Sequence, residues 1–313
     1  MQQGQGHHPE LGAPPMTTTA SPDTPTSVDP ETAAEVDGEV LDAEEQARAT
    51  MAELLELIDE LAARRPVAAR VVSMTGDDGV GAKELAGTLS ADVALTTRVM
   101  RRANSAYYGL GGRVRTVTFA VTVVGFQAIR AMAAAAAAGL DTDDVLPADF
   151  WPRSKAAAVA SSALAPLFRV PAADAFCLGL LSGLGQAILV QHDADGYQAL
   201  LDRDDVTTGG RAALLDAERE VFGLRHTDVS AEALSVWQFP REFSDALARL
   251  GESPERSTPW SRCLATALEA ASRLVDPTGP VSDVLELSDG VVTEDRLTGL
   301  LPRLRESVAA SDW

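Results

Sequence analysis

The chain has four histidines; two, His7 and His8, lie in its first ten residues, leaving His192 and His226 as the imidazoles from which a site could be built. A hydrolytic centre carried on helices needs imidazoles and carboxylates converging on one point, because their nitrogen and oxygen donors must replace the water shell of the ion. Asp228 is near His226 in sequence, and Asp193 and Glu218 would have to join them. One imidazole beside one aspartate is no coordination sphere, so His226 reads as a histidine that caps or bonds backbone at a helix start. The apolar run Ala175–Gly185 has Ser182-Gly183 at its centre. A hydroxymethyl group and a hydrogen cannot hold a divalent metal.

Other chemistries are poorly served. No serine stands in a G-x-S-x-G elbow, and no phosphate-cradling G-x-x-x-x-G-K run occurs. Arg130, Arg153 and Lys155 are the cations that could meet a phosphate, though each also reads as an ordinary helix charge. Trp151 and Trp237 sit within helical apolar patterns and read as core anchors rather than a ligand cage. Cys177 and Cys263 lie among apolar residues without CxxC partners, which fits reduced thiols in a cytoplasmic protein.

Composition narrows the partners. With 313 residues and 46% hydrophobic content the chain can bury a large core. Its formal net charge of −20 argues against nucleic acid and anionic membranes, since both are held by clustered Lys and Arg. The stretch Glu84–Arg98 has helix-turn-helix spacing, with Arg98, Arg101 and Arg102 near phosphate reach, but any two packed helices show that spacing. No signal peptide is evident, and no uninterrupted apolar stretch looks long enough to span a bilayer.

The elements that must position these residues are helices. Residues 1–43, rich in Pro, Thr, Gly and acids, are expected to be a disordered acidic tail. From Glu44 onward Met51, Leu54, Leu55, Ile58 and Leu61 recur at helical spacing. Pro66 opens the next helix, and Ser90 or Asp92 caps one reaching about Asn104, with Val93, Leu95, Val99, Met100 and Ala103 inward. A turn over 106–112 precedes a helix from Phe126 into the alanines 133–138, which Gly139 stops. Further helices are expected at about 148–168, 172–191, 209–222, 227–237, 241–249, 259–275 and 292–309. Asn104 and Ser105 read as ending a helix by bonding its free carbonyls, with Tyr107 and Tyr108 packed beneath; the alternative is that the segment from Asn104 to Gly112 is a recognition loop on the helical scaffold.

These residues accumulate into a pattern that resembles the HDOD domain, a bacterial relative of the HD and HD-GYP metal-dependent phosphohydrolases. The matching blocks occur in order from about 58 to 252. They are Pro66 and its helix; Glu84-Leu-Ala86; Leu89 to Leu95 with Asp92; Ala103-Asn104-Ser105-Ala106-Tyr-Tyr-Gly109; and Val117 to Gly125. The second half adds Phe150-Trp151 with Ser154, Gly179-Leu-Leu-Ser182-Gly183-Leu-Gly185, Phe222-Gly223 with His226, and Trp237-Gln-Phe-Pro240. The departures concern the metal. Ser182-Gly183 replaces a His-Asp that some members keep, Arg153 stands where a His often precedes the serine, and Arg249-Leu250 replaces a terminal His-His pair.

The resemblance implies an all-α protein: a multi-helical domain of two lobes at 44–255, followed by a helical extension at 256–313. It implies a non-catalytic signal-transduction module acting on an unknown protein partner, without catalytic residues, metal or cofactor; a nucleotide ligand stays open. The matched positions would then be structural or partner-binding. The competing reading is a residual HD-type phosphohydrolase or cyclic-dinucleotide phosphodiesterase.

Overall fold

The computed structural model describes Met1 and residues 30–140, 146–250 and 256–310, the side chains of 30–43 and of residue 106 excepted. Among these residues there is no strand; the protein is all-α. The chain divides into two units, Met1–Asp42 and Ala43–Trp313. Helix α1 (Pro30–Arg64) begins well before the expected boundary at residue 43. Proline suits a first helical turn, and Glu31, Ala33, Ala34 and Glu35 behind it are strong helix formers that the acidic, Pro-rich composition masked. Residues 2–29 of the expected tail lie outside the described residues.

Within the second unit, α1 buries Leu54, Ile58 and Leu61, one face at helical spacing. The unit continues with α2 (Pro66–Thr75), α3 (Ala82–Leu89), α4 (Val93–Ala103), a 3-10 turn at Ala106–Tyr108, α5 (Val117–Val124) and α6 (Phe126–Ala137). Asp92 caps α4 by accepting from the Leu95 N–H at 2.9 Å, and Thr116 caps α5 through the Phe119 N–H. Each such cap contributes about 1 kcal/mol. Gly125, at φ 83°, sits in backbone closed to most side chains and lets α5 and α6 meet at 104°. The alanines 133–138 are all buried, and their small side chains let α6 lie against α2 on one side and α8 on the other.

Next come α7 (Phe150–Phe168), α8 (Ala172–Leu181), α9 (Leu184–His192), α10 (Ala194–Leu201), α11 (Asp204–Phe222), α12 (His226–Val236) and α13 (Arg241–Ala248). Helices α14 (Pro259–Val275), α15 (Val284–Leu287) and α16 (Glu294–Ala309) follow. Helix α14 lies along α7 and buries Cys263, Leu264, Ala267 and Ala270, so the segment after 256 shares the core of the same unit.

Three local expectations are corrected. Val93, expected inward, is 79% exposed because it is the first residue after the Asp92 cap; the inward face is Leu95, Val99, Arg102 and Ala103. The single helix expected at 172–191 is two, broken at Ser182-Gly183. Ala172–His192 is also, among the described residues, a stretch long and apolar enough to cross a membrane, where none was expected. That window is 78% buried inside the fold, as a core helix pair of a helical domain would be.

Candidate functional site

The α8–α9 break sets Ser182 and Gly183 between α7 and α12. Three glycines make this approach possible. A Cβ on Gly179 would lie 2.5 Å from Ser161 Oγ and 2.6 Å from the Ala157 carbonyl oxygen, so α8 meets α7 nearly backbone to side chain. A Cβ on Gly185 would lie 2.0 Å from the His226 carbonyl oxygen, which places the start of α9 against the start of α12. Gly183 faces the Phe150 ring, 3.2 Å from its would-be Cβ, with Ser154 Oγ at 3.7 Å.

The polar groups freed by the break are consumed locally. The Ser182 hydroxyl donates to the Gly179 carbonyl at 2.8 Å. The Ser230 hydroxyl donates to the Ser182 carbonyl at 3.2 Å and accepts from the Gly185 N–H at 2.7 Å. Buried polar groups left unpaired are costly, and this arrangement satisfies both ends of the break.

His226 opens α12 beside this corner, as the histidine at a helix start that its position suggested, but its partner is a carboxylate rather than backbone. Its N–H donates to Glu218 Oε2 at 2.8 Å, and its Nδ1 lies 2.9 and 2.8 Å from the two Glu218 oxygens. The Tyr197 hydroxyl donates to Glu218 Oε1. Gly223, left-handed at φ 73°, ends α11 and turns the chain so that residue 226 folds back over 218. Burial alone would raise the Glu218 pKa, but the charge and hydrogen bonds of His226 outweigh it and hold the carboxyl below its ordinary range. Burial, with Glu218 adding to it, raises the Tyr197 phenol.

These side chains are a poor match for the metal that the HD relatives carry. Ser182 spends its hydroxyl on Gly179, Gly183 offers no donor, and both oxygens of Glu218 are engaged by His226 and Tyr197. Asp193 instead caps α10 through the Gly196 N–H, and Asp228 accepts from the Arg225 N–H. His192 lies 3.9 Å from Glu53. Among the described residues no three His, Cys, Asp or Glu side chains gather to hold an ion. Arg153 binds Asp149 and reaches Ser272 Oγ at 3.4 Å, and Arg249 donates to the Arg256 carbonyl.

The other motif residues position helices. Asn104 clamps the 104–114 loop: its Nδ2 donates to the Met100 and Val114 carbonyls and its Oδ1 accepts from the Val114 N–H. Two expectations fail here: Ser105 is buried but its hydroxyl bonds none of the helix carbonyls, so that of the two side chains Asn104 alone serves them, and Tyr107, expected beneath the loop, stands on its outside; Gly109 takes φ 65° in the same loop. Pro66 begins α2 and Pro240 precedes α13. Trp151 stands edge-on to Phe150 and lines a cavity of about 200 Å3 with Arg98, Lys155, Met132 and Leu180. Trp237 caps α12 and accepts from Arg130 through its carbonyl.

Sequence reasoning missed the partners. Arg102, read as near phosphate reach, is 2% exposed, with its Cζ 3.9 Å from the Phe176 ring centroid and 4.8 Å from that of Tyr107. Its only sequence signal was its place on the inward face of α4. Tyr197 and Ser230 carried no signal, and Glu218 was visible only as one of several carboxylates.

The comparisons with known proteins follow this geometry. The HDOD domain pattern matches residues 61–252. No curated protein matches the chain. A candidate phosphohydrolase from Shewanella amazonensis is similar in structure, with TM-score 0.62 and 22% identity over 82% of this chain and 96% of that one. A candidate signal transduction protein from Marinobacter aquaeolei has TM-score 0.59 and 19% identity over 79% and 59%. An HDOD domain protein of unknown function from Geobacter sulfurreducens has TM-score 0.57 and 19% identity over 79% and 91%. At these identities the likeness is one of fold. The pattern that spans more than half of the chain, together with the ordered blocks from Pro66 to Pro240, makes this protein a member of the HDOD domain family.

Proposed function

We propose that this protein is a non-catalytic signal-transduction module of a bacterial cytoplasm that works by presenting a helical surface to a protein partner. The observation that carries this reading is the Ser182-Gly183 corner. There, groups that could have held an ion are replaced by a serine bonded to its own helix and a glycine packed on Phe150. His226, the surviving imidazole, holds Glu218 in place. The name of the Marinobacter relative supports a signalling role, and that of the Shewanella relative supports the phosphohydrolase alternative.

A surface for the partner is offered by the 104–114 loop. Asn104 fixes its base, the Tyr107 hydroxyl is 3.3 Å from Ser162 Oγ, and the Tyr107 ring stays 53% exposed. Rigidly held aromatics are good recognition anchors because little entropy is lost when they are covered.

The test has two arms. Purified protein, supplied with Mn2+, Mg2+, Fe2+ or Zn2+, is expected to turn over neither cyclic dinucleotides nor nucleoside phosphates. Metal-dependent turnover that His226→Ala abolishes would overturn the reading. A photo-crosslinking residue at position 107, introduced in the native cell, is expected to trap one reproducible protein; absence of any adduct removes this loop as the contact surface.

A further inference from the structure

A buried charge without a carboxylate among the described residues lies away from the Ser182 corner. Arg130, on α6, is 5% exposed. Its Nη2–H donates to the Trp237 carbonyl, its Cζ stands 4.3 Å from the Phe239 ring centroid, and its buried Nε–H has no acceptor. Among the described residues it meets a carbonyl and a ring but no carboxylate. Desolvation accordingly lowers its pKa. An arginine so placed is stabilised strongly by any anion that can reach it, and its planar fork matches carboxylate and phosphate oxygens.

Arg130 also lines a cavity of about 240 Å3, whose other walls include Val72, Ser73, Ala137, Trp237 and Gln238. Gln238 holds a left-handed backbone at φ 57°, unusual for a residue with a side chain. It is the position after the α12 C-cap, where the Gln238 and Phe239 N–H groups close the helix end on the Ser235 and Leu234 carbonyls. The cavity is formed by four separate sequence blocks: Ala62 at the end of α1, Ala69 to Ser73 on α2, Arg130 and Ala137 on α6, and Val236 to Gln238 at the end of α12.

We propose that this cavity binds a small oxyanion, a carboxylate or phosphate carried on a compact apolar body, with Arg130 as its counterion. Val72, Ala137 and Trp237 contribute apolar lining, and Ser73 and Gln238 contribute polar lining. The site does not depend on the regulatory reading above, because it shares no residue with the Ser182 corner or the 104–114 loop.

Calorimetric titration of the full chain with inorganic phosphate, acetate and butyrate, against chloride at matched ionic strength, tests it. Saturable binding of at least one oxyanion and none of chloride is expected; the anion that binds assigns the site to phosphate or to carboxylate. Arg130→Gln is expected to weaken that binding at least tenfold. Ala69 on α2 also lines the cavity, and Ala69→Leu, which keeps the arginine and fills the space, is expected to do the same and decides the matter if Arg130→Gln does not fold. Binding by neither class of anion, or binding unchanged in a folded variant of either kind, overturns the proposal.

Discussion

The Ser182-Gly183 corner and the Arg130 cavity are two interior regions that treat polar atoms in opposite ways. At the corner, backbone groups released by a helix break are met by Ser230, and a buried carboxylate is met by His226 and Tyr197. At the cavity, a buried guanidinium keeps an unmet N–H and, among the described residues, has no carboxylate, beside a residue in left-handed backbone. The first arrangement is self-sufficient and can be disturbed only at a cost. The second leaves interaction capacity unspent, which is where a ligand would gain most.

Four substitutions break or sharpen that contrast, in falling order of effect. Gly185→Ala drives a Cβ into the His226 carbonyl at 2.0 Å and forces α9 away from α12. A loss of about 3 kcal/mol or more in urea unfolding is expected from such overpacking; a loss near zero would mean that the two helices slide freely. Glu218→Gln leaves His226 and Tyr197 facing an uncharged amide and is expected to cost about 2–3 kcal/mol.

The same carboxylate sets a pH dependence. Its folded pKa is depressed below the ordinary 4.5, so its stabilisation is fully present above that value and is lost as pH falls through the lower folded pKa. Unfolding followed from pH 6 to pH 3 should therefore show an acid loss that is shallower in Glu218→Gln. Equal slopes in the two proteins would show that the pair contributes nothing in acid.

Arg130→Met is expected to change stability by less than about 1 kcal/mol, since removing a buried charge that lacks an opposite charge recovers its desolvation cost. A loss comparable to that of Glu218→Gln would erase the contrast. Gln238→Gly, the smallest, is expected to raise stability by about 0.5–1 kcal/mol through relief of the left-handed backbone. Thermal unfolding measures both.

Much of the helical layout could be read without coordinates because its signals are local. Pro66 at a first turn, Asp92 at a cap, Gly139 and Gly223 beyond helix ends, and the alanines of α6 each act within a few residues of themselves. The start of α1 at Pro30 was hidden by composition, which averages over propensities that act residue by residue. The short α10 went unread because nothing in 194–201 is strongly periodic; its cap, Asp193, had been weighed only as a carboxylate. The burial of Arg102 was illegible for a different reason: a guanidinium at an inward position looks like a surface charge until Phe176, far along the chain, is seen beneath it.

The amino-acid sequence alone determined that this chain is helical, that its blocks follow the HDOD order, and that Ser182-Gly183 lacks metal donors. Residue types and short spacings carry all three. Only the tertiary structure decided that Glu218 rather than Asp193 or Asp228 meets His226, that Arg102 is roofed by aromatics, and that Arg130 lines a cavity. Those depend on contacts between residues from eight to more than one hundred positions apart, which packing selects and local pattern cannot.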